Sequence, residues 1–280
     1  MRIPEGRIKP LRGRGMYSSA QLAFKYVKYW LTASNGKGHG IHSPFVFDFI
    51  NNVLNDKREF DSFRFIENVR AGLRDNDTEI NVPDFGAGSR MQLHNKRKIS
   101  AIARSSLKPK KFSQLLFRIV HYYKPKNILE LGTSLGITTS YLSAANPSAQ
   151  IITMEGAPEV AATAKNNFKQ LHLSNIRVIE GNFDDNLLSV ISQLSSVDLA
   201  FIDGNHRKAP TLDYFCQLLA AAGRSAIFIF DDIHWSREME AAWGEIKAHP
   251  SVTLTVDLFF IGLVFFRTEQ KIKQDFVIRF

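Results

Sequence analysis

Three carboxylates and two imidazoles stand where this chain could do chemistry. Asp203 opens the run Asp203-Gly-Asn-His206, and Asp231-Asp232-Ile-His234 lies further on. Each set follows an apolar stretch, 197–202 and 225–230, that reads as a buried strand. Three hard oxygen donors with open positions suit Mg²⁺ or a similar divalent cation. Such an ion would bind a hydroxyl and lower its pKa. Close carboxylates in a cleft repel each other unless a cation, a proton or donors neutralise them. His206, three residues past Asp203, can move a proton near neutral pH. Lys208 competes with it, and His234 beside the acid pair is a second base or a substrate contact. A plainer reading is open for each. Asp203 then meets only a cofactor or a water, Asp231 and Asp232 cap the helix starting near Trp235, and the histidines face solvent.

A second constellation could hold a ligand. Asn127-Ile-Leu-Glu-Leu-Gly-Thr-Ser-Leu-Gly136 is an apolar run carrying Glu130, then a turn, Gly132-Thr133-Ser134, then Gly136 at the start of a helical pattern. Glycine turns of this kind bring main-chain N–H groups close to a ligand. The spacing is E-x-G-x-x-x-G and departs from the dinucleotide fingerprint G-x-G-x-x-G. Glu155-Gly156 ends the next apolar run, where an acid can accept both hydroxyls of a ribose. Gly181, Asn182 and Phe183 end a third.

These residues need a scaffold that gathers them. From Asn127 the pattern alternates strictly. Strands read at 127–131, 150–154, 176–179, 197–202 and 225–230, with helices at 135–145, 158–171, 184–194, 210–222 and 235–248. Apolar strands alternating with helices imply a parallel sheet covered on both faces. Two last strands, 253–259 and 262–267, are close enough to form an antiparallel hairpin. In an open parallel sheet, ligands bind at the carboxyl ends of the strands, and all five ends here carry polar residues.

This set resembles the class I S-adenosylmethionine-dependent methyltransferases, over 127–267. By motif it is similar to the catechol and caffeoyl-CoA O-methyltransferase group and its bacterial relatives. The resemblance implies an α/β, Rossmann-like sheet closed by the hairpin, and S-adenosyl-L-methionine as cofactor. It implies that Gly132 and Gly136 line the methionine portion, with Asp203 bordering it, and that Glu130, Thr133 and Ser134 also bind the cofactor. Glu155 and Gly156 would hold the ribose, and Gly181, Asn182 and Phe183 the adenine. Relatives often carry Asp and a small residue where Asn182 and Phe183 stand. It implies a divalent metal on Asp203, Asp231 and Asp232, where relatives have Asn at the third position. It also implies catalysis by His206 with Asp203, at the offset where relatives have a Lys base. The activity implied is methyl transfer to an oxygen of a small-molecule acceptor. Asp-Gly-Asn-His after the fourth strand differs from the N/D-P-P-Y motif of enzymes that methylate base amines.

The remainder divides into a basic leader (1–15), a helical N-terminal extension (16–126) that would cover the substrate side as a lid, and the methyltransferase domain (127–280). The leader carries Arg2, Arg7, Lys9, Arg12 and Arg14 against Glu5, with five Gly and Pro, and reads as disordered; Met16 is an alternative start. Leu22, Tyr26, Tyr29 and Trp30 make an amphipathic helix over 18–32, facing the core or a membrane surface. Ser43-Pro44 starts another helix, and 110–123 reads as helical up to Pro125. His39 and His42, in a glycine-rich connector, would reach the site if that segment closes over it. Asp84-Phe85-Gly86 spells a kinase triplet without the accompanying kinase motifs and is set aside, as an ordered loop.

One cysteine in 280 residues, Cys216, excludes an internal disulfide and points to the cytoplasm; its apolar neighbours imply burial. Nothing reads as a signal peptide or a membrane span. A net charge of +9 keeps nucleic acid open as a partner. The alternatives are therefore an RNA-modifying methyltransferase, a non-catalytic interaction module on this fold, and an NAD or nucleotide-sugar enzyme. The missing G-x-G-x-x-G counts against the last.

Overall fold

The computed structural model describes residues 15–83, 96–267, 269 and 272–280. The expected basic leader, Gly15 apart, and the loop expected at 84–89 lie outside these residues. Five helices come first: α1 (Ser19–Thr32), α2 (Pro44–Phe49) running into a π-turn (Ile50–Leu54), α3 (Asp61–Arg74), α4 (Ile99–Ser106) and α5 (Lys110–Tyr123). A small antiparallel ladder, β1 (Glu79–Asn81) with β2 (Lys96–Lys98), sits between α3 and α4. Ser18 caps α1 in a reciprocal box with Gln21, and Ser43 and Pro44 open α2 as their types dictate.

The alternating half follows in order: β3 (Asn127–Leu131), α6 (Ile137–Ala145), β4 (Gln150–Glu155), α7 (Pro158–Gln170), β5 (Ile176–Glu180), α8 (Phe183–Ile191), β6 (Val197–Ile202), α9 (Lys208–Ala220), β7 (Ala222–Asp231), α10 (Arg237–Ala248), β8 (Leu254–Asp257), β9 (Ile261–Phe265) and β10 (Gln274–Val277). The main sheet has the order β10-β8-β9-β7-β6-β3-β4-β5. Strands β3 to β7 are parallel, β9 runs antiparallel between β7 and β8, and the fold is the Rossmann-like methyltransferase arrangement.

Three details differ from the sequence reading. Strand β7 begins at Ala222, inside the segment read as helix, because Ala222 already pairs with Val197 ahead of a register shift. Strand β10, parallel to β8, was not anticipated at all. Cys216 is exposed rather than buried, since Phe215 and Leu218 form the inward stripe of α9 and position 216 turns away from it.

Period-two alternation splits the core. Ile128, Ile151, Leu199, Phe201, Ile227 and Ile229 face the helices of the N-terminal part, in one apolar cluster with Val46, Phe63 and Leu116. Leu129, Met154, Ile202, Phe228 and Phe230 face the other way, toward α8, α9 and α10. Helices α2 to α5 are thus part of the sheet's own core. Helix α1 lies apart: it buries Tyr29, places Tyr26 edge-on to Phe259, and leaves Phe24, Val27 and Leu31 exposed. Its end is stitched to the far end of the chain. The Tyr29 hydroxyl donates to the Ile278 carbonyl, and Arg279 N–H donates to Ser34 O at 3.0 Å. No helix among the described residues is long and apolar enough to cross a membrane.

Candidate active site

The carboxyl ends of the parallel strands open into a cavity of about 710 Å³, within the size range of small-molecule sites. One half is built on the glycine turn. Gly132 has φ +106°, and its N–H donates to Met154 O at 3.0 Å. A Cβ there would stand 2.2 Å from the Asp203 carbonyl oxygen, so only glycine lets the turn lie against the end of β6. Ser134, also left-handed at φ +48°, donates its N–H to Glu155 Oε2 at 2.8 Å, and Ala157 N–H donates to Oε1 at 3.0 Å. Burial pushes the Glu155 carboxyl up, against the pull of these main-chain donors. Glu155 lines the cavity with Gly156, Gly181, Asn182 and Phe183. Asn182 is spent partly on capping α8, accepting from Asp184 N–H at 3.4 Å. The Phe183 ring packs on Gly204, where a Cβ would approach it to 2.6 Å.

Three residues expected on this wall stand behind it. Glu130 is fully buried, and its Oε2 accepts from Thr139 at 2.5 Å and Thr153 at 2.6 Å. Burial pushes it up to about 8, against those two hydroxyls. Thr133 is turned inward, its hydroxyl 2.6 Å from that of Thr153. Gly136 starts α6 with φ +79°, tight against Phe168.

The other half carries the acids. Asp203, His206 and Asp231 come together, with one ligand-type atom of each within 4.8 Å of the others. His206 Nε2 is 3.6 Å from Asp203 Oδ1 and half-buried. Asp232 lines the cavity but does not join that group; its φ is +53°, and its N–H donates to Phe260 O at 2.7 Å. Neither Asp231 nor Asp232 caps α10. That is done by Ser236, which accepts from Met239 N–H at 3.1 Å.

The residue that sequence reasoning missed is Lys108. It precedes Pro109 in the link from α4 to α5, and its ammonium ion-pairs with Asp231 Oδ2 and lies 3.6 Å from Asp203 Oδ2. Burial acts to lower its pKa, but the charges of Asp203, Asp231 and Asp232 outweigh this and hold it raised and charged. Arg70, buried on α3, fixes the link by donating to Lys108 O at 2.8 Å and to Ser113 Oγ at 3.3 Å, while Glu67 accepts from it at 2.9 Å. A divalent ion does not fit these residues as they are placed, because an ammonium already sits among the carboxylates that would hold it.

The remaining candidates lie elsewhere. His234 is turned from the cavity, with Nδ1 3.0 Å from Glu240 Oε1 and Nε2 2.8 Å from Asp257 Oδ2. Both ring nitrogens are engaged, so it is placed neither as a base nor as a substrate contact. Lys208 pairs with Glu245 at 2.6 Å on the surface. His39 and His42 are exposed and lie outside the lining, in a connector tied to the 278–279 segment. The N-terminal part does reach the site: Leu107, Lys108 and Phe112 line it, facing Trp235 and Phe260.

The sheet order and its antiparallel C-terminal strands are those of the class I methyltransferase fold. Residues 129–233 match the family model described as a methyltransferase domain. A catechol O-methyltransferase from Niastella koreensis is 32% identical over 126 residues, 44% of this chain; the chain spans 55% of that enzyme's length. The O-methyltransferase of Bacillus cereus, crystallised with S-adenosylhomocysteine, superposes with a TM-score of 0.53 at 19% identity, over 79% of this chain and 97% of that one. The O-methyltransferase TomG of Streptomyces achromogenes, solved with S-adenosylmethionine, gives 0.52 at 14% identity, over 75% and 91%.

Proposed function

We propose that this chain transfers a methyl group from S-adenosyl-L-methionine to an oxygen of a small-molecule acceptor. One observation carries the reading: a single cavity joins the glycine turn and Glu155 to the His206–Asp203 pair. When bound, the cofactor supplies an electrophilic methyl group that leaves a neutral thioether behind. Glu155 accepts the ribose hydroxyls, the Gly132–Ser134 turn borders the methionine portion, and Asn182 and Phe183 border the adenine. His206 takes the proton from the acceptor hydroxyl, and Asp203 steadies the imidazolium that forms. The oxygen so freed would be the nucleophile toward the methyl group that a bound cofactor supplies. Leu107, Phe112, Trp235 and Phe260 form an apolar bed for the acceptor, so the link from α4 to α5 borders the substrate side. The expected metal assistance has no part in this route, because Lys108 holds that place.

The test is calorimetric titration with S-adenosylhomocysteine, followed by detection of that product during incubation with S-adenosylmethionine and a panel of small hydroxylated acceptors. One-site binding and product formation are expected. Absence of binding overturns the proposal.

A further inference from the structure

We infer that Lys108 is the permanent cation of this site, standing where related geometry would call for a divalent ion and making the centre independent of metal. The inference rests on the methyl-transfer reading for its chemical meaning, but not for its geometry. Asp203 and Asp231 face each other across the end of two adjacent strands, and Asp231 is 2% exposed. Two such carboxylates repel each other unless a cation, a proton or hydrogen-bond donors offset their charge. The chain supplies a cation from its own N-terminal part. Lys108 is no mobile surface lysine: its side chain is 11% exposed. Its carbonyl is held by the buried Arg70, and the Pro109 ring restricts the conformations open to it. A divalent ion brought to Asp203 and Asp231 would have to displace this ammonium or sit against it, and like charges at that distance repel strongly.

The consequence for the reaction follows from the donor inventory. An ammonium carries three N–H donors. Asp231 takes one, and Lys108 also lines the cavity. A remaining N–H is available to an acceptor oxygen as that oxygen loses its proton to His206. Lys108 thus does by charge and hydrogen bonding what an ion does by coordination.

The experiment titrates Mn²⁺ into the purified full-length protein and reads bound ion by calorimetry and by loss of the free-ion electron paramagnetic resonance signal. Wild type should show no saturable binding up to roughly 1 mM, the weak end of the range for oxygen-ligand sites. Lys108→Met, which leaves the carboxylates without their cation, should bind Mn²⁺ at least about tenfold more tightly. Saturable binding by wild type well below that concentration, or no gain in Lys108→Met, overturns the inference. Should Lys108→Met fail to fold, the wild-type titration still decides, joined by methyl transfer measured in EDTA. Full turnover in EDTA supports the inference, and turnover lost in EDTA and restored by Mg²⁺ overturns it. Failure to bind S-adenosylhomocysteine would instead remove the methyl-transfer reading and leave the Mn²⁺ result standing.

Discussion

Arg70 holds Lys108 from behind: its Nη1 donates to the Lys108 main-chain carbonyl at 2.8 Å while the lysine's ammonium reaches forward to Asp231. A buried guanidinium on α3 thereby sets where a charge stands at the ends of β6 and β7. Replacing Arg70 by Met should cost about 3 kcal/mol in urea unfolding, since Glu67 and the Lys108 carbonyl lose a buried partner. It should also lower turnover more than it lowers S-adenosylhomocysteine affinity, because the slackened residue is Lys108 and the glycine turn is untouched. Equal losses in both would show that Arg70 supports only the fold.

Glu155→Ala should weaken S-adenosylhomocysteine binding about tenfold or more, the worth of a charge-assisted hydrogen bond of roughly 1.5–3 kcal/mol. Part of that loss comes from the turn, because Glu155 also accepts from Ser134 and Ala157. Glu155→Gln keeps an acceptor for one of them and should fall between the two. Calorimetry with unchanged affinity in Glu155→Ala would remove the ribose assignment.

His206→Ala should reduce turnover by a factor on the order of 10²–10⁴, the usual contribution of a positioned base. Binding of S-adenosylhomocysteine should hardly change. Steady-state rates beside calorimetry separate the two. A full rate in the variant would move proton removal to another group.

The His234 cluster gives a stability signature instead of a catalytic one. Burial lowers the His234 pKa, but the bonds and charges of Asp257 and Glu240 outweigh it, so the folded value lies above 6.5. A raised value stabilises the fold fully below the unfolded pKa of about 6.5 and less as pH climbs through the folded one. Glu240 is shifted the other way: burial raises it, yet hydrogen bonds from Tyr17, Lys25 and His234 bring it below 4.5. Its contribution is present above that pH and is lost in acid. Melting temperature should therefore decline from about pH 6.5 upward in wild type, and this limb should flatten in His234→Gln. A pH profile unchanged by the substitution would contradict the ion network.

Two glycines separate strain from collision. Gly132→Ala combines φ +106° with a Cβ 2.2 Å from a main-chain oxygen, and should cost more than about 2 kcal/mol and weaken S-adenosylhomocysteine binding. Gly40 has φ +80° with nothing within 4 Å, so Gly40→Ala should cost only about 1 kcal/mol. Chemical denaturation of the two variants measures the difference.

Much of the site was legible because its residues sit at strand ends, and apolar runs mark where strands end. Gly132, Glu155, Asp203 and Asp231 each follow such a run directly. Lys108 follows none. It lies in a short link between helices, and its partner Asp231 is distant in sequence, so nothing local marks it. The one local sign was Pro109, which stiffens that link at the start of α5. Glu130 and Thr133 were misplaced for a related reason: a turn motif identifies which residues are near a ligand, but not which side chains turn inward. His234 shows the limit for charged residues. Adjacency to Asp232 in sequence says nothing of Glu240 and Asp257, which claim both its nitrogens. Strand β10 is four residues long and half-exposed, too little pattern to separate from a loop.

The stitch between α1 and the 278–279 segment bears on how the chain is made. Ser34 and Tyr29 emerge from the ribosome early, yet their partners exist only once translation has reached Arg279. At about 5–20 residues per second, the interval is on the order of ten to fifty seconds. For most of that time Tyr26 and Tyr29 have no Phe259 to pack against, while Phe24 and Leu31 stay exposed even in the folded chain. Helix α1 is then among the last elements to dock, and a nascent chain stalled before that point would present it as a ready target for a chaperone.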